Sequence, residues 1–258
     1  MIRQIVHKNR LLFWLGASHL LIFLLLLIYF PFNNIVVLGI NSVVKPMKFA
    51  LSIWIYSWTM ALILHHLKDM GKVRAYSWMA VIVMSFEQLA ITTQALRGEL
   101  SHFNINSAYG IILFSLMGVF ILTLTLWTAY ITYIFCKQQL FDLSPAILLS
   151  IRIGLIYFVM FSLFGGYISG LPGHTVGAAD GTEGLWFLNW SKTFGDLRVA
   201  HFFGIHSLQI IPLFAMGMQK YSKINYSVLA VWSFSIIYLA YVLFTLAQGV
   251  MGMPFIRL

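Results

Sequence analysis

The chain has 258 residues, of which 60% are hydrophobic and only 9% are charged, and its formal net charge is +9. Soluble domains carry about 25% charged residues, so this composition excludes a soluble enzyme and a disordered chain. The single cysteine, Cys136, excludes a disulfide scaffold. The composition is typical of a protein that crosses a membrane several times.

Seven stretches of the chain are long and apolar enough to cross a bilayer, which takes about 20 residues. They cover residues 11–32, 44–64, 76–96, 109–136, 145–168, 199–218 and 226–250. The first begins after basic residues, as a signal peptide does, but its apolar part is too long for one, so we predict a retained span. The sequence therefore predicts an all-α bundle of seven transmembrane helices, with residues 1–258 forming a single domain.

The distribution of Lys and Arg predicts the orientation of the bundle. These residues lie at the termini and in the connections without forming a basic stripe, which favours a topological role and argues against a nucleic-acid partner. The connections on the side of the N-terminus carry the larger share. We therefore predict an integral protein of a bacterial inner membrane, with the lipid bilayer as its partner, the N-terminus in the cytoplasm and the C-terminus outside.

The connection at residues 169–197 is the only long one, and it is rich in glycine. Loops of this length without helical periodicity are usually functional or disordered. The run from Leu185 to Trp190 argues against disorder, because aromatic side chains suit a membrane interface. We predict an ordered loop that covers the outer mouth of the bundle.

Polar side chains gather at the predicted outer ends of spans two and three. Lys45 and Lys48 open span two, where they are either interfacial anchors or a cationic rim for an anionic group. Counted from residue 76, Glu87 lies near the bilayer centre, about 18 Å from the inner side. Such a carboxyl is costly there, so it is either bonded to a neighbouring helix or functional. Gln94 shares its face, and Arg97 follows at the end of the span.

The sixth span begins with a second polar group of residues. Asp196 is placed to cap the helix, and a stripe of four side chains follows at helical spacing, namely Arg198, Phe202, His206 and Gln209. His206 lies about 12 Å below the outer end, close to the predicted depth of Glu87. His201 points about 140° away around the helix axis. The two histidines are either separately bonded core residues or lining groups of one cavity.

The donor set of the outer half contains candidate metal ligands, although no CxxC, HExxH or HxxxH spacing is present. The candidates are Glu87, His102, His174, Asp196, His201 and His206. Either a transition metal such as zinc or a haem would suit them. Haem ligation by two histidines would pair His206 with His19 of the first span. The cofactor stays open at this point, as does the oligomeric state.

The leading hypothesis is a membrane-embedded enzyme that acts on a lipid-like or amphiphilic substrate, with or without a metal or haem. Its site would face the periplasm, with Glu87, His201 and His206 as the catalytic candidates. A second set would bind a small anionic group of the substrate, namely Lys45, Lys48, Gln94, Arg97, Arg198 and Gln209. The alternative is a proton- or ion-coupled transporter with Glu87 and His206 as its relay. A structural or assembly subunit is a third hypothesis, but it leaves Glu87 without a role beyond helix association.

Overall fold

The computed structural model describes residue 6 and residues 8–105, 107–139, 143–181, 184–221 and 224–256, with main chain alone at 219–221 and 224–226. Among these residues, seven helices are long and apolar enough to cross a membrane, which confirms the all-α fold. They are α1 Arg10–Tyr29, α2 Val44–Leu64, α3 Met70–Leu96, α4 Ala108–Lys137, α5 Pro145–Ser169, α6 Arg198–Tyr221 and α7 Ile224–Val250. Four two-residue strands complete the fold, namely β1 Val36–Val37, β2 Ile40–Asn41, β3 Thr175–Val176 and β4 Gly195–Asp196.

Helix α3 starts six residues before the predicted boundary at residue 76. The Asp69 side chain caps it by accepting a hydrogen bond of 3.1 Å from the Lys72 backbone N–H. Because the capped first turn is polar, hydropathy alone does not reveal it. Met70 and not Tyr76 is therefore the first residue of this helix.

The helices divide into two compact units, Met1–Leu124 and Thr125–Leu258, a division that the sequence does not predict. In unit 1, α1 packs along α2 and α3. Gly16 of α1 lies against Trp58, whose indole N–H donates to the Phe13 carbonyl at 3.2 Å. The Asn9 amide, just before α1, donates to Ser77 of α3 at 2.7 Å. These contacts fix how far α1 is displaced along its two neighbours.

The segment after α3 turns back at Gly98, which has a φ of +72°. The Gly98 and Glu99 amides return to the Ala95 and Gln94 carbonyls, the pattern of a helix that ends in a left-handed glycine. A side chain at Gly98 would be strained in that conformation. This turn aims the chain of residues 99–104 back over the end of unit 1.

In unit 2, α5, α6 and α7 pack around a shared apolar core that includes Phe161, Ile211 and Val242. Gly204 of α6 is so close to Phe161 of α5 that a Cβ added at Gly204 would overlap both the ring and the Cβ of Phe161. The Tyr238 hydroxyl of α7 donates to the Phe203 carbonyl at 2.7 Å. The close approach at Gly204 thus sets the spacing of α5 and α6.

The described part of the 170–197 connection is ordered by main-chain pairing. Strands β3 and β4 pair in antiparallel fashion, with Thr175 opposite Asp196, and Gly184 forms a bridge to Ser191. Trp190 packs edge-on against Phe202 at 5.3 Å and against Phe255 at 5.6 Å between ring centroids. The connection is therefore fastened to the adjoining ends of α6 and α7.

We expect Gly204→Ala to destabilise the protein, because the new methyl group would press on Phe161, and overpacking of this kind costs about 1–3 kcal/mol. Gly217→Ala in the same helix is the matched control, since a Cβ there has nothing within 4 Å. Thermal unfolding of both purified variants checks this. An unfolding midpoint of Gly204→Ala equal to that of Gly217→Ala would contradict the close packing.

Candidate functional site

Glu87 lies two thirds of the way along α3, and a hydrogen bond of its neighbour Gln88 shows what it is level with. The Gln88 amide donates to the Pro46 carbonyl at 3.2 Å, which brings the first turn of α2 level with this part of α3. Glu87 is 17 residues from Met70, or about 26 Å at 1.5 Å per residue. The predicted depth of about 18 Å was counted from residue 76 and stays a prediction. Glu87 lies nearer to the end of α3 that precedes residues 97–105 than to Met70.

Lys45, in the first turn of α2, is the charged group that acts on the Glu87 carboxyl. Its Nζ also lies 3.2 Å from Nδ1 of His102, in the segment after α3. An ammonium group only donates, so Nδ1 of His102 accepts, and the neutral ring carries its proton on Nε2. The His102 ring lies between Phe49 and Phe114, at 6.1 and 5.7 Å from their centroids. Three predicted residues, Lys45, Glu87 and His102, are thus brought together.

Unsatisfied oxygen atoms mark the α3 side of this cluster. Glu87 is 4% exposed, and its Oε1 has no hydrogen-bond partner among the described residues. The Oε1 atoms of Gln88 and Gln94 also have no hydrogen-bond partner there. The amide nitrogens of both residues do donate, that of Gln88 to the Pro46 carbonyl and that of Gln94 to the Leu100 carbonyl at 3.0 Å. Buried polar atoms are nearly always paired, because an unpaired one costs about 1–3 kcal/mol. Three unpaired acceptors on one helix therefore indicate a place where a ligand with donor groups would bind.

Two further predicted cations, Lys48 and Arg97, lie at the same end of unit 1 as this cluster. Lys48 is half-buried one turn beyond Lys45. Arg97 is exposed, with its guanidinium 4.8 Å from the ring centroid of Tyr109. Arg97 is thus a rim residue held by an aromatic ring and does not belong to the buried cluster.

In unit 2, the side chain of Asp196 is fully buried and its oxygens are saturated by hydrogen bonds. They accept from the Ser191 N–H at 3.1 Å, from the Arg198 N–H at 3.0 Å and from Arg198 Nε at 2.9 Å. The Arg198 guanidinium also donates to the Asn189 carbonyl. Asp196 caps α6, as the sequence predicts, and the pair closes the 170–197 connection. Both residues are occupied by this structural task.

His174 and Asp180 form a second closed pair in the same connection. His174 Nδ1 lies 2.8 Å from Asp180 Oδ1, and the carboxylate accepts from the backbone N–H groups of His174 and Thr175. Burial lowers the pKa of the His174 imidazole below its ordinary value of 6.5. Burial raises the pKa of Asp180, but its contacts with His174 and Thr175 lower it by more, so it lies below 3.8. At neutral pH the pair is a neutral imidazole beside a carboxylate.

The two histidines of α6 have different surroundings. His201 packs over Gly165, and its Nδ1 lies 2.8 Å from the Phe161 carbonyl, so it joins α6 to α5. His206 Nδ1 lies 3.3 Å from Gln209 Oε1, and the Phe202 ring meets it edge-on at 4.4 Å. These contacts give His201 a packing role and leave His206 and Gln209 as a polar pair on α6. His206 lies in unit 2 and Glu87 in unit 1, so their predicted pairing stays a prediction.

The described residues contain no group of three His, Cys, Asp or Glu side chains that could hold a metal ion. The nitrogen of His102 that faces the cluster accepts from Lys45, and the Asp196 oxygens are taken by Ser191 and Arg198. The donor set as arranged therefore gives no support to the predicted metal site.

Sequence reasoning did not include Gln88 among the site residues, and it named His19 only as a haem partner for His206. Gln88 shares the unpaired acceptors, and an amide directly after a buried carboxyl was the available signal. His19, in α1, is 2% exposed, and its ring contacts the Leu15 carbonyl at 2.7 Å and the Met84 backbone of α3. A histidine in the middle of an apolar span was the signal for it.

The chain matches no protein-family model, no curated protein and no solved structure.

We expect Asp196→Asn to destabilise the protein strongly, because it leaves the Arg198 guanidinium without its buried counter-charge, at a cost of about 3–5 kcal/mol. Asp69→Asn is the matched control, since the Asp69–Lys72 pair is about half exposed on both sides and Asn still caps a helix. Thermal unfolding should show a large loss for the first variant and less than about 1 kcal/mol for the second. Similar losses in both would contradict the structural role of Asp196.

We expect acid to loosen the 170–197 connection through His174. In the closed connection the pKa of the His174 imidazole lies below 6.5, so as the pH falls the open connection takes up a proton first. The closed form therefore loses stability as the pH falls below 6.5. The Asp180 contribution is present above 3.8 and is lost only below that. Cleavage of this segment by a protease, compared at each pH with His174→Gln, measures the effect. The wild type should lose protection relative to the variant by up to about tenfold per pH unit. Cleavage rates that change with pH by the same factor in the two proteins would contradict this effect of His174.

Proposed function

We propose that this integral membrane protein is an enzyme that acts on an anionic, lipid-like or amphiphilic substrate at the cluster formed by Lys45, Glu87 and His102 in unit 1. Glu87 exchanges a proton with the reacting group of the substrate. Lys45 binds its anionic group, and His102 holds the Lys45 ammonium in place. Gln88 and Gln94 accept hydrogen bonds from the substrate.

The observation that carries this proposal is the unpaired Oε1 of the buried Glu87, level with the α2 turn that carries Lys45. A carboxyl inside an apolar span is costly and usually functional. If it served only to hold helices together, both of its oxygens would be expected to bond to a neighbouring helix. A general acid or base instead needs an oxygen atom available to the substrate.

The surrounding residues support an amphiphilic substrate. The cluster lies near one end of unit 1, where a headgroup can enter while apolar chains stay in the bilayer. At that end a shallow apolar groove of about 460 Å³ is lined by Ile22, Leu25, Leu26, Tyr29 and Leu96. Apolar grooves of this size accept hydrocarbon chains. The rim cations Lys48 and Arg97 would attract an anionic headgroup.

The proposal includes the predicted setting of the site, namely a bacterial inner membrane with the N-terminus in the cytoplasm and the cluster facing the periplasm. It includes no metal or haem, because the donor groups of the described residues are arranged for hydrogen bonds and ion pairs. The polar pair His206 and Gln209 of unit 2 is a further candidate for binding the substrate.

The test of this proposal is lipid turnover by purified protein in liposomes made from a bacterial total lipid extract, followed by mass spectrometry of all lipid classes. We expect one class to decrease and a product to rise with wild-type protein. Glu87→Gln should slow the reaction by at least about 100-fold, the typical contribution of a general acid or base. Lys45→Gln should weaken substrate binding more than it slows the bound substrate's reaction.

Glu99→Gln is the matched control, because Glu99 is an exposed acid two residues after Arg97 and its carboxylate accepts from Asn104 at 3.3 Å. It should react at the wild-type rate. No change in any lipid class with wild-type protein, or equal rates for the Glu87→Gln and wild-type proteins, would overturn the proposal.

A proton-coupled carrier is the second candidate, and one observation favours it. Ionisable groups continue through unit 1 beyond Glu87, with His19 in α1 and the hydroxyl contact of Tyr56 with Tyr76 between α2 and α3. Lines of such groups occur in proton-driven transporters. Substrate uptake into liposomes that requires a pH gradient and stops in Glu87→Gln would favour the carrier over the enzyme.

A further inference from the structure

A short hairpin, residues 184–191, lies in the long connection of unit 2 and carries an exposed tryptophan at its tip. Trp186 is 80% exposed, the highest value among the large hydrophobic side chains of the described residues. Its ring centroid lies 6.0 Å from that of Phe187, and the hairpin contains no ionisable side chain. Trp190, four residues later, is only 5% exposed. The two tryptophans of the hairpin therefore differ, because protein encloses only Trp190.

The tip of the hairpin has a defined conformation. The Asn189 N–H donates to the Leu185 carbonyl at 2.6 Å, which closes one turn, and Asn189 itself has a φ of +55°. Asparagine adopts this left-handed conformation more readily than most residues. A Cβ added at Gly184 would overlap Asn189, so a glycine is needed where the two sides of the hairpin approach. The exposed Trp186 thus belongs to an ordered turn.

The base of the hairpin lies at the start of α6. The Ser191 N–H donates to the Asp196 carboxylate at 3.1 Å, and Asp196 is two residues before the helix. The Leu185 N–H donates to the Trp190 carbonyl at 2.8 Å, so these two residues lie opposite each other. Trp186 is one residue beyond Leu185, which puts its Cα within about 10 Å of that of Trp190. The tip is therefore held close to the end of a membrane-spanning helix.

This position corresponds to the headgroup layer of a bilayer. Helix α6 is long and apolar enough to cross the membrane from Arg198 onward. The headgroups add about 5–8 Å to each face of the hydrocarbon core, and tryptophan concentrates in that layer. The reason is that an indole has an apolar body and an N–H group that still needs an acceptor. The uncharged tip, with an indole that the protein leaves uncovered, matches the chemistry of this layer.

We infer that residues 185–188 form a membrane-anchoring tip that inserts into the lipid headgroup layer beside unit 2, with Trp186 as its main contact. The 170–197 connection is then fastened at two points, by Trp190 to the ends of α6 and α7 and by Trp186 to lipid. This inference goes beyond the proposed function, because it concerns unit 2 and holds for an enzyme or a carrier.

The test is tryptophan fluorescence of the purified full-length protein in phosphatidylcholine liposomes, with and without lipids that are brominated on the acyl chains near the headgroup. The wild-type spectrum minus that of Trp186→Phe gives the emission of Trp186. We expect this emission to be lost for the most part in brominated lipid, since bromine quenches an indole that it contacts, and to change little with iodide in the water. Trp186→Phe should unfold in detergent at the wild-type midpoint, because the side chain touches little of the protein.

Trp14→Phe is the matched control, since Trp14 is 64% exposed in the second turn of α1 and its emission should be quenched by the same brominated lipid. Emission of Trp186 that iodide quenches and brominated lipid does not would overturn the inference, because the tip would then lie in water. Emission that neither reagent quenches would also overturn it, because a second copy of the chain would then cover the tip in place of lipid.

Discussion

The hydrogen bond from the Gln88 amide to the Pro46 carbonyl is the interaction on which the candidate site depends. Polar contacts between helices of an apolar bundle define their relative position along the helix axes, and this bond does so for α2 and α3. It brings the α2 turn that carries Lys45 level with Glu87, whose Oε1 has no hydrogen-bond partner among the described residues. The Asn9–Ser77 bond fixes α1 against α3 in the same way.

The two units differ in how the buried polar side chains are hydrogen-bonded. In unit 2 the Asp196 carboxylate is saturated by Ser191 and Arg198, and His201 is committed to the Phe161 carbonyl. Such groups fasten the 170–197 connection and join helices. In unit 1 the Oε1 atoms of Glu87, Gln88 and Gln94 have no hydrogen-bond partner among the described residues. Leaving a buried oxygen unpaired is unfavourable in either unit. Unpaired buried acceptors beside a cation are what a binding site for a polar headgroup requires.

Much of the fold could be predicted from the sequence, because long apolar runs at about 20 residues each leave few alternatives to membrane-spanning helices. Hydropathy failed at Met70, where a polar first turn is capped by Asp69. That Glu87 is either functional or bonded to a neighbouring helix could be predicted from its cost alone. The roles of Asp196 and His201 could not, since pairing partners from distant segments decide whether a polar residue is saturated or available.

The most direct test of the central claim is an experimental structure of the purified protein in lipid, at a resolution that shows bound small molecules. The account predicts density for a non-protein molecule at the Oε1 atom of Glu87, with its anionic group at the Lys45 ammonium, and loss of that density in Glu87→Gln. A Glu87 carboxyl with both oxygens hydrogen-bonded to protein groups, and helices packed closely around it, would contradict the account.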